Sequence, residues 1–282
     1  MISMGRTISF INMKGGVGKT TLIVNVGYTL AKNFGKRILI IDMDPQMNTT
    51  QHVLNANIQK LQEVLTNPSK TILGILSSDY KIPSIIGSKE KREINVNPII
   101  ILNEGFHLIP SHLDIMRLNL IDKPLLLRRY IRTNLADKYA AILLDLPPTI
   151  SAYTRISLLA SDGYVVPMKT DYLSFFGLPL LQSTIRDLIE EFDTSLEFLG
   201  IILNMVSSNY SIYSDIKELI CKDPEWGRGL FKNELKHKTS IARALSRDEC
   251  LKRPPYIIER GDQELINQIV GISQEFMQRA RL

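Results

Sequence analysis

Cysteine is scarce in this 282-residue chain: Cys221 and Cys250 alone, too few and too isolated for a disulfide framework or a Cys-x-x-Cys metal site. A reducing, cytoplasmic setting is the expectation. Long apolar runs are also missing, with none near the roughly 18 residues that cross a bilayer. Residues Met1 to Arg6 lead straight into a strand-like run and leave no room for a signal peptide. Neither export nor a membrane span is expected. Nothing in the composition points to disorder or a repeat array, since 44% hydrophobic and 22% charged residues are ordinary for a folded chain. No Gly/Ser- or Pro-rich linker divides the chain, so one unit over 1–282, elaborated at about 54–105, is the expected organisation.

Charge of one sign is in small surplus, +5, and it is unevenly placed. Residues 228–260 hold nine Lys/Arg against four acids, so this segment carries the whole surplus. A localised basic face is the electrostatic footprint of nucleic-acid backbone binding, although a solvated face with no partner has the same composition.

Five short apolar runs, Thr7–Ile11, Ile38–Ile41, Ala140–Leu144, Gly163–Pro167 and Phe198–Leu203, are nearly continuous rather than alternating. That pattern predicts strands buried on both faces of a parallel sheet. Helical periodicity at Thr21–Asn33, Lys123–Ala136, Ser151–Ser161 and Ser174–Phe192 separates them. The order strand, helix, strand predicts an α/β fold: a doubly wound, mainly parallel sheet flanked by helices. Between about 54 and 105 the alternation breaks into helix-like Lys60–Thr66 and Ser69–Ser77, a polar stretch at Ser88–Arg92 and a possible hairpin of Val96–Leu102 with Phe106–Ile109. Leu265, Ile266, Ile269, Val270, Ile272, Phe276 and Met277 form an apolar helical stripe with few basic residues opposite, which predicts core packing over a membrane-surface role.

In such sheets ligands bind beyond the carboxyl ends of the strands. The residues there are Asn12 to Lys19, Asp42 and Asp44, Asp145, Lys169 to Asp171, and Asn204: a glycine loop, carboxylates and an amide at one edge. Met13-Lys14-Gly15-Gly16-Val17-Gly18-Lys19-Thr20-Thr21 follows a strand and opens a helix, as a phosphate-binding loop must. Glycines let backbone N–H groups turn toward phosphate oxygens, and the helix start adds its positive end. Lys19 reaches the β- and γ-phosphates, and the Thr20 hydroxyl is a Mg²⁺ ligand. A nucleoside triphosphate with Mg²⁺ is therefore the expected ligand, held by Gly15, Gly16, Val17, Gly18, Lys19, Thr20 and Thr21.

The ordinary loop, G-x-x-x-x-G-K-[ST], places glycine where Met13 stands, and it has no second lysine corresponding to Lys14. With this deviant loop the sequence resembles the ParA/MinD family of P-loop ATPases. The resemblance extends to Asp42-Met43-Asp44-Pro45-Gln46-Met47-Asn48, to Leu143-Leu144-Asp145-Leu146-Pro147-Pro148 and to Leu108-Ile109-Pro110-Ser111, and Asp-Pro-Gln favours the ParA branch. It implies that Lys14 crosses to the nucleotide of a second copy in an ATP-sandwich homodimer. It further implies that Asp44 positions the attacking water, that Asp42 and Asp145 support Mg²⁺ with Thr20, and that Asn204 contacts adenine. The implied activity is ATP hydrolysis serving plasmid or chromosome segregation. Non-specific double-stranded DNA and a centromere-binding ParB-type protein are the implied partners, and the implied location is the nucleoid.

Two features depart from the family pattern. Met47 stands where glycine is usual, which matters if the position needs φ > 0. Lys236-His237-Lys238-Thr239-Ser240 lacks the usual arginine pattern, so the candidate DNA group, Lys232, Lys236, Lys238 and Arg243, is chosen for its charge alone. The phosphate loop begins near residue 13, too early for a motif-bearing N-terminal helix-turn-helix domain. A ParA/MinD-like ATPase that positions another cargo or acts at a membrane surface is the alternative. An iron-protein role would need cluster-ligating cysteines near Asp145, where there are none.

Overall fold

The computed structural model describes residues 5–77, 98–206, 210–243, 251–252 and 255–282. Its strands are β1 Arg6–Phe10, β2 Ile38–Asp42, β3 Ile100–Asn103, β4 Phe106–Ile109, β5 Ala141–Asp145, β6 Gly163–Met168, β7 Glu197–Val206 and β8 Leu235–Lys236. They form one sheet in the order β3-β4-β2-β5-β1-β6-β7-β8, parallel except for the β3–β4 pair. The five expected strands are its centre. Crossover helices cover both faces, so side chains alternate between two apolar layers. Leu39, Ile41, Ile142 and Leu144 go to one, and Ile38, Ile40, Leu143 and Phe10 to the other.

The helices in chain order are α1 Lys19–Phe34, α2 Asn48–Leu54, α3 Ile58–Thr66, α4 Ile72–Leu76, α5 Leu126–Asn134, α6 Ala152–Ala160, α7 Tyr172–Phe176, α8 Leu178–Phe192, α9 Tyr210–Lys222 and α10 Thr239–Arg243. A last helix spans Gln263–Arg279. The expected stripe on that helix is buried at Leu265, Ile269, Ile272 and Phe276 and half-buried at Ile266, Val270 and Met277, with the Phe276 ring 5.7 Å from that of Phe10. The expected single helix Ser174–Phe192 is two. Pro179, in the first turn of α8, has no N–H to continue the ladder from α7, and the chain restarts at Gly177. Ser69–Ser77 is likewise broken, because Thr71 is extended and its hydroxyl caps α4 at Leu73. The hairpin is present as β3 and β4, and β4 also joins β2 in parallel. Val96 and Ser88–Arg92 lie outside the described residues. Among the described residues no helix is long and apolar enough to cross a membrane.

Register places the site. Asp145 of β5 lies opposite Phe10 of β1 on one side and Asp42 of β2 on the other. Three central strands thus end at one level, with two carboxylates flanking the loop that leaves β1.

Candidate functional site

The loop between β1 and α1 is built around Asn12. Its amide Nδ2 donates to the Pro167 carbonyl at 2.8 Å, and its Oδ1 accepts the Lys14 N–H at 2.8 Å. Gly16 and Gly18 have φ of 70° and 77°, the left-handed region that favours glycine. A Cβ on Gly18 would lie 2.5 Å from Asn204 Nδ2, so this glycine also answers a close approach. Asn204, at the end of β7, donates to the Val17 and Gly18 carbonyls at 2.8 and 3.0 Å, and its Oδ1 accepts the Met205 N–H. In this structure its amide braces the loop from below.

The two lysines occupy different surroundings. Lys19 is buried, its Nζ 3.5 Å from the Asn12 carbonyl, and burial pushes its pKa down against the pull of Asp145 and Asp44. Lys14 is at the exposed rim, where its Nζ contacts both oxygens of Asp171 at 2.7 and 2.8 Å. Burial pushes the Asp171 carboxyl up, but the Lys14 contact and the Ser174 hydrogen bonds outweigh it and hold the group below its ordinary range.

The carboxylates divide into anchors and free groups. Asp42 Oδ2 accepts the Thr50 N–H and hydroxyl at 2.9 and 2.7 Å, while Oδ1 accepts the Asp44 N–H at 3.1 Å. Asp42 therefore fastens α2 and the loop before it. Asp145 Oδ2 accepts hydroxyls from Thr20 at 2.8 Å and Thr49 at 2.7 Å, but its Oδ1 is buried with no partner. A buried carboxylate oxygen left unpaired is costly and marks a place for a cation or its water. Burial, with the neighbouring Asp145 charge, pushes the Asp42 carboxyl up; burial also pushes Asp145 up, against the Thr49 and Thr20 bonds and Lys19.

Asp44 is almost fully buried, with Oδ1 accepting the Gln46 N–H at 2.9 Å and Oδ2 only a 3.4 Å contact from Asn48. Met47, in the usual glycine position, does adopt the left-handed conformation, φ 58°, and its side chain is buried with Val53 and Leu54.

Mg²⁺ typically keeps several waters and takes one or two carboxylates plus phosphate oxygens. The Thr20 hydroxyl beside the Asp145 carboxylate fits that pattern. The open space around Gly16, where a Cβ would meet nothing within 4 Å, and the Lys19 ammonium suit a polyphosphate. The sequence places Asn12 and Asp171 at the ligand edge without a role, and it does not single out Thr49 and Thr50. Their partners are 2 to 157 positions away with no fixed spacing, so only a place at a strand end or, for the threonines, beside the Asp-Pro-Gln run could draw notice.

The candidate DNA group is split. Lys236 pairs with Glu264 at 2.7 Å, and Lys238 with Asp262 at 2.9 Å and Glu264 at 2.8 Å, all at the start of the last helix. Lys232 and Arg243 are exposed and make no ion pair among the described residues.

A family model described as an AAA domain matches residues 5–198. The sporulation initiation inhibitor protein Soj of Bacillus subtilis is 31% identical over 221 residues, covering 78% of this chain and 80% of its own length. The chromosome partitioning protein ParA of Myxococcus xanthus is 30% identical, covering 88% and 79%. Among solved structures, a plasmid partition protein of Borrelia burgdorferi bound to AMPPNP superposes with a TM-score of 0.72 at 20% identity, covering 98% of this chain and 99% of that one. Cobyrinic acid a,c-diamide synthase of Mycobacterium smegmatis, with ADP and magnesium, superposes at 0.67 and 22% identity, so the fold alone is shared with other chemistry. With the deviant loop, the Asp-Pro-Gln run and these relatives together, the chain belongs to the ParA-type family of P-loop partition ATPases.

Proposed function

We propose that this chain is a partition ATPase that binds ATP with Mg²⁺ and closes on it as a two-copy sandwich. In that state it binds duplex DNA without sequence preference, and it turns over when a centromere-binding protein engages it. Residues 1–282 act as one nucleotide-binding unit in this reading, cytoplasmic and associated with the nucleoid.

The observation that carries it is the placement of the two lysines. Lys19 Nζ is buried against the loop and serves its own nucleotide, whereas Lys14 Nζ stands at the rim on Asp171, the cap of α7, the helix that carries exposed Leu173 and Phe176. A second copy covering that rim brings the apolar side chains out of water and Lys14 to its nucleotide.

Mg²⁺ would be held by Thr20 and Asp145, whose Oδ1 has no protein partner, and would supply charge neutralisation for the phosphates, while Asp42 supports that edge by fixing α2. Loop N–H groups from Gly15 to Thr21 cradle the phosphates, and Lys19 offsets the charge that develops on the leaving group. Asp44, with one oxygen nearly free, orients the attacking water. Asn204, through its bonds to the Val17 and Gly18 carbonyls, keeps the cradle in shape.

Co-sedimentation on random-sequence duplex DNA with ATP, ADP or no nucleotide, at low and raised salt, tests this reading. Binding with ATP alone, weakened by salt, is expected. Binding that ignores ATP, or none at low salt, overturns it and favours a ParA-like ATPase for another cargo, a reading that the pairing of Lys236 and Lys238 also favours.

A further inference from the structure

Asp171 follows β6, next to the strand that feeds the phosphate loop, and caps α7 by accepting the Ser174 N–H at 2.8 Å. Both its oxygens also contact Lys14 Nζ. Lys14 thus has a partner in its own chain while it faces outward, at the place from which it would leave for a second copy.

We propose that Asp171 is a positioning residue that restrains the resting single chain: it holds Lys14 in cis, and this ion pair has to open before Lys14 engages the other copy's phosphates. The inference rests on the sandwich reading above and specifies how entry into that state is regulated. Asp171 sets a threshold, because a triphosphate in the facing copy offers Lys14 a γ-phosphate in exchange for the carboxylate it gives up. A diphosphate lacks that group, and the pair re-forms.

The magnitude suits a latch. Side-chain exposures of 32% for Lys14 and 35% for Asp171 make the pair partly solvated, worth at most about fivefold in an equilibrium constant. A symmetric dimer opens two such pairs, so removing the restraint strengthens dimerisation by about two- to twenty-five-fold. A fully buried pair would lock Lys14 in place, and a fully exposed one would hold nothing. The connection to α7 adds a consequence: the same carboxylate caps the helix that presents Leu173 and Phe176, so withdrawal of Lys14 alters the charge at the base of the surface a second copy covers.

Asp171→Asn tests this, since asparagine keeps a cap oxygen for the Ser174 N–H and removes only the charge. The first readout needs no nucleotide: the acylation rate of Lys14 by an amine-reactive ester, measured by peptide mass spectrometry with exposed Lys232 as internal reference. Lys14 should react several-fold faster in Asp171→Asn, and an unchanged rate overturns the latch. The second readout is the dimer dissociation constant with a non-hydrolysable ATP analogue, from sedimentation velocity. A constant lowered by about two- to twenty-five-fold supports the proposal; an unchanged or raised one overturns it. Wild-type chain that stays monomeric with the analogue overturns the sandwich reading itself. Wild-type dimerisation matched by Asp171→Asn overturns the latch alone.

Discussion

Met47→Gly sets two opposite effects against each other at the departure from the family pattern. Met47 sits at φ 58° before α2, its N–H bonded to the Asp44 carbonyl at 2.9 Å and its carbonyl accepting the Gln51 N–H at 2.8 Å. Left-handed backbone costs a side-chain-bearing residue about 1–2 kcal/mol, which glycine would recover. The Met47 side chain is only 4% exposed, however, and its burial contributes about 1.5–3 kcal/mol. Glycine also gives the unfolded chain extra freedom, worth about 0.5–1 kcal/mol. Burial and entropy outweigh strain, so Met47→Gly should be less stable by about 1–2 kcal/mol. Met47→Leu, which keeps the burial, should stay within about 1.5 kcal/mol of wild type. Urea unfolding of the nucleotide-free chain, with unchanged denaturant slope, measures both. Equal or greater stability of Met47→Gly would refute the reasoning and show that the turn, not the side chain, governs this position.

Gly18→Ala should lose at least tenfold in affinity for a fluorescent ATP analogue, because its Cβ would fall 2.5 Å from Asn204 Nδ2 at a φ of 77°; unchanged affinity would contradict the tight fit. Burial, with Arg260 adding to it and the Pro255 carbonyl opposing, pushes buried His52 down to about 4 from 6.5. The unfolded chain therefore binds the proton better, and the contribution is whole above pH 6.5 and lost as pH falls toward 4. Relative to His52→Leu, wild type should lose about 2 kcal/mol between pH 7.5 and pH 5, read from unfolding midpoints. For DNA, Lys232→Ala and Arg243→Ala should each reduce the slope of log affinity against log salt by about 1, whereas Lys236→Ala and Lys238→Ala should change it less, since carboxylates already neutralise them. Fluorescence anisotropy at several salt concentrations would show the order, and the reverse order would contradict it.

The centre of the fold was legible because a strand covered on both faces has to be apolar throughout, and β1, β2, β5, β6 and β7 announce themselves that way. Strand β8 did not, since two residues, Leu235 and Lys236, make no run. The split between α7 and α8 was readable in principle from Pro179, whose missing N–H outweighed an otherwise helical stripe. At the site, the residues that the loop motif requires could be named from type and spacing. The braces could not. Thr49 and Thr50 meet Asp145 and Asp42 only because register sets those strand ends level, and Asp171 meets Lys14 only because β6 lies beside β1. The ion pairs of Lys236 and Lys238 were invisible for the same reason, as their acids lie on a helix that folds back from about 25 residues away.

The central claim is that the chain binds its nucleotide as half of a two-copy assembly, and sedimentation velocity of Asp44→Ala with ATP, with and without Lys14→Ala, tests it most directly. Asp44→Ala should sediment as a dimer that does not turn over. The double variant should stay monomeric while still binding ATP through Lys19. A double variant that dimerises as readily as Asp44→Ala would contradict the claim and return Lys14 to its own nucleotide.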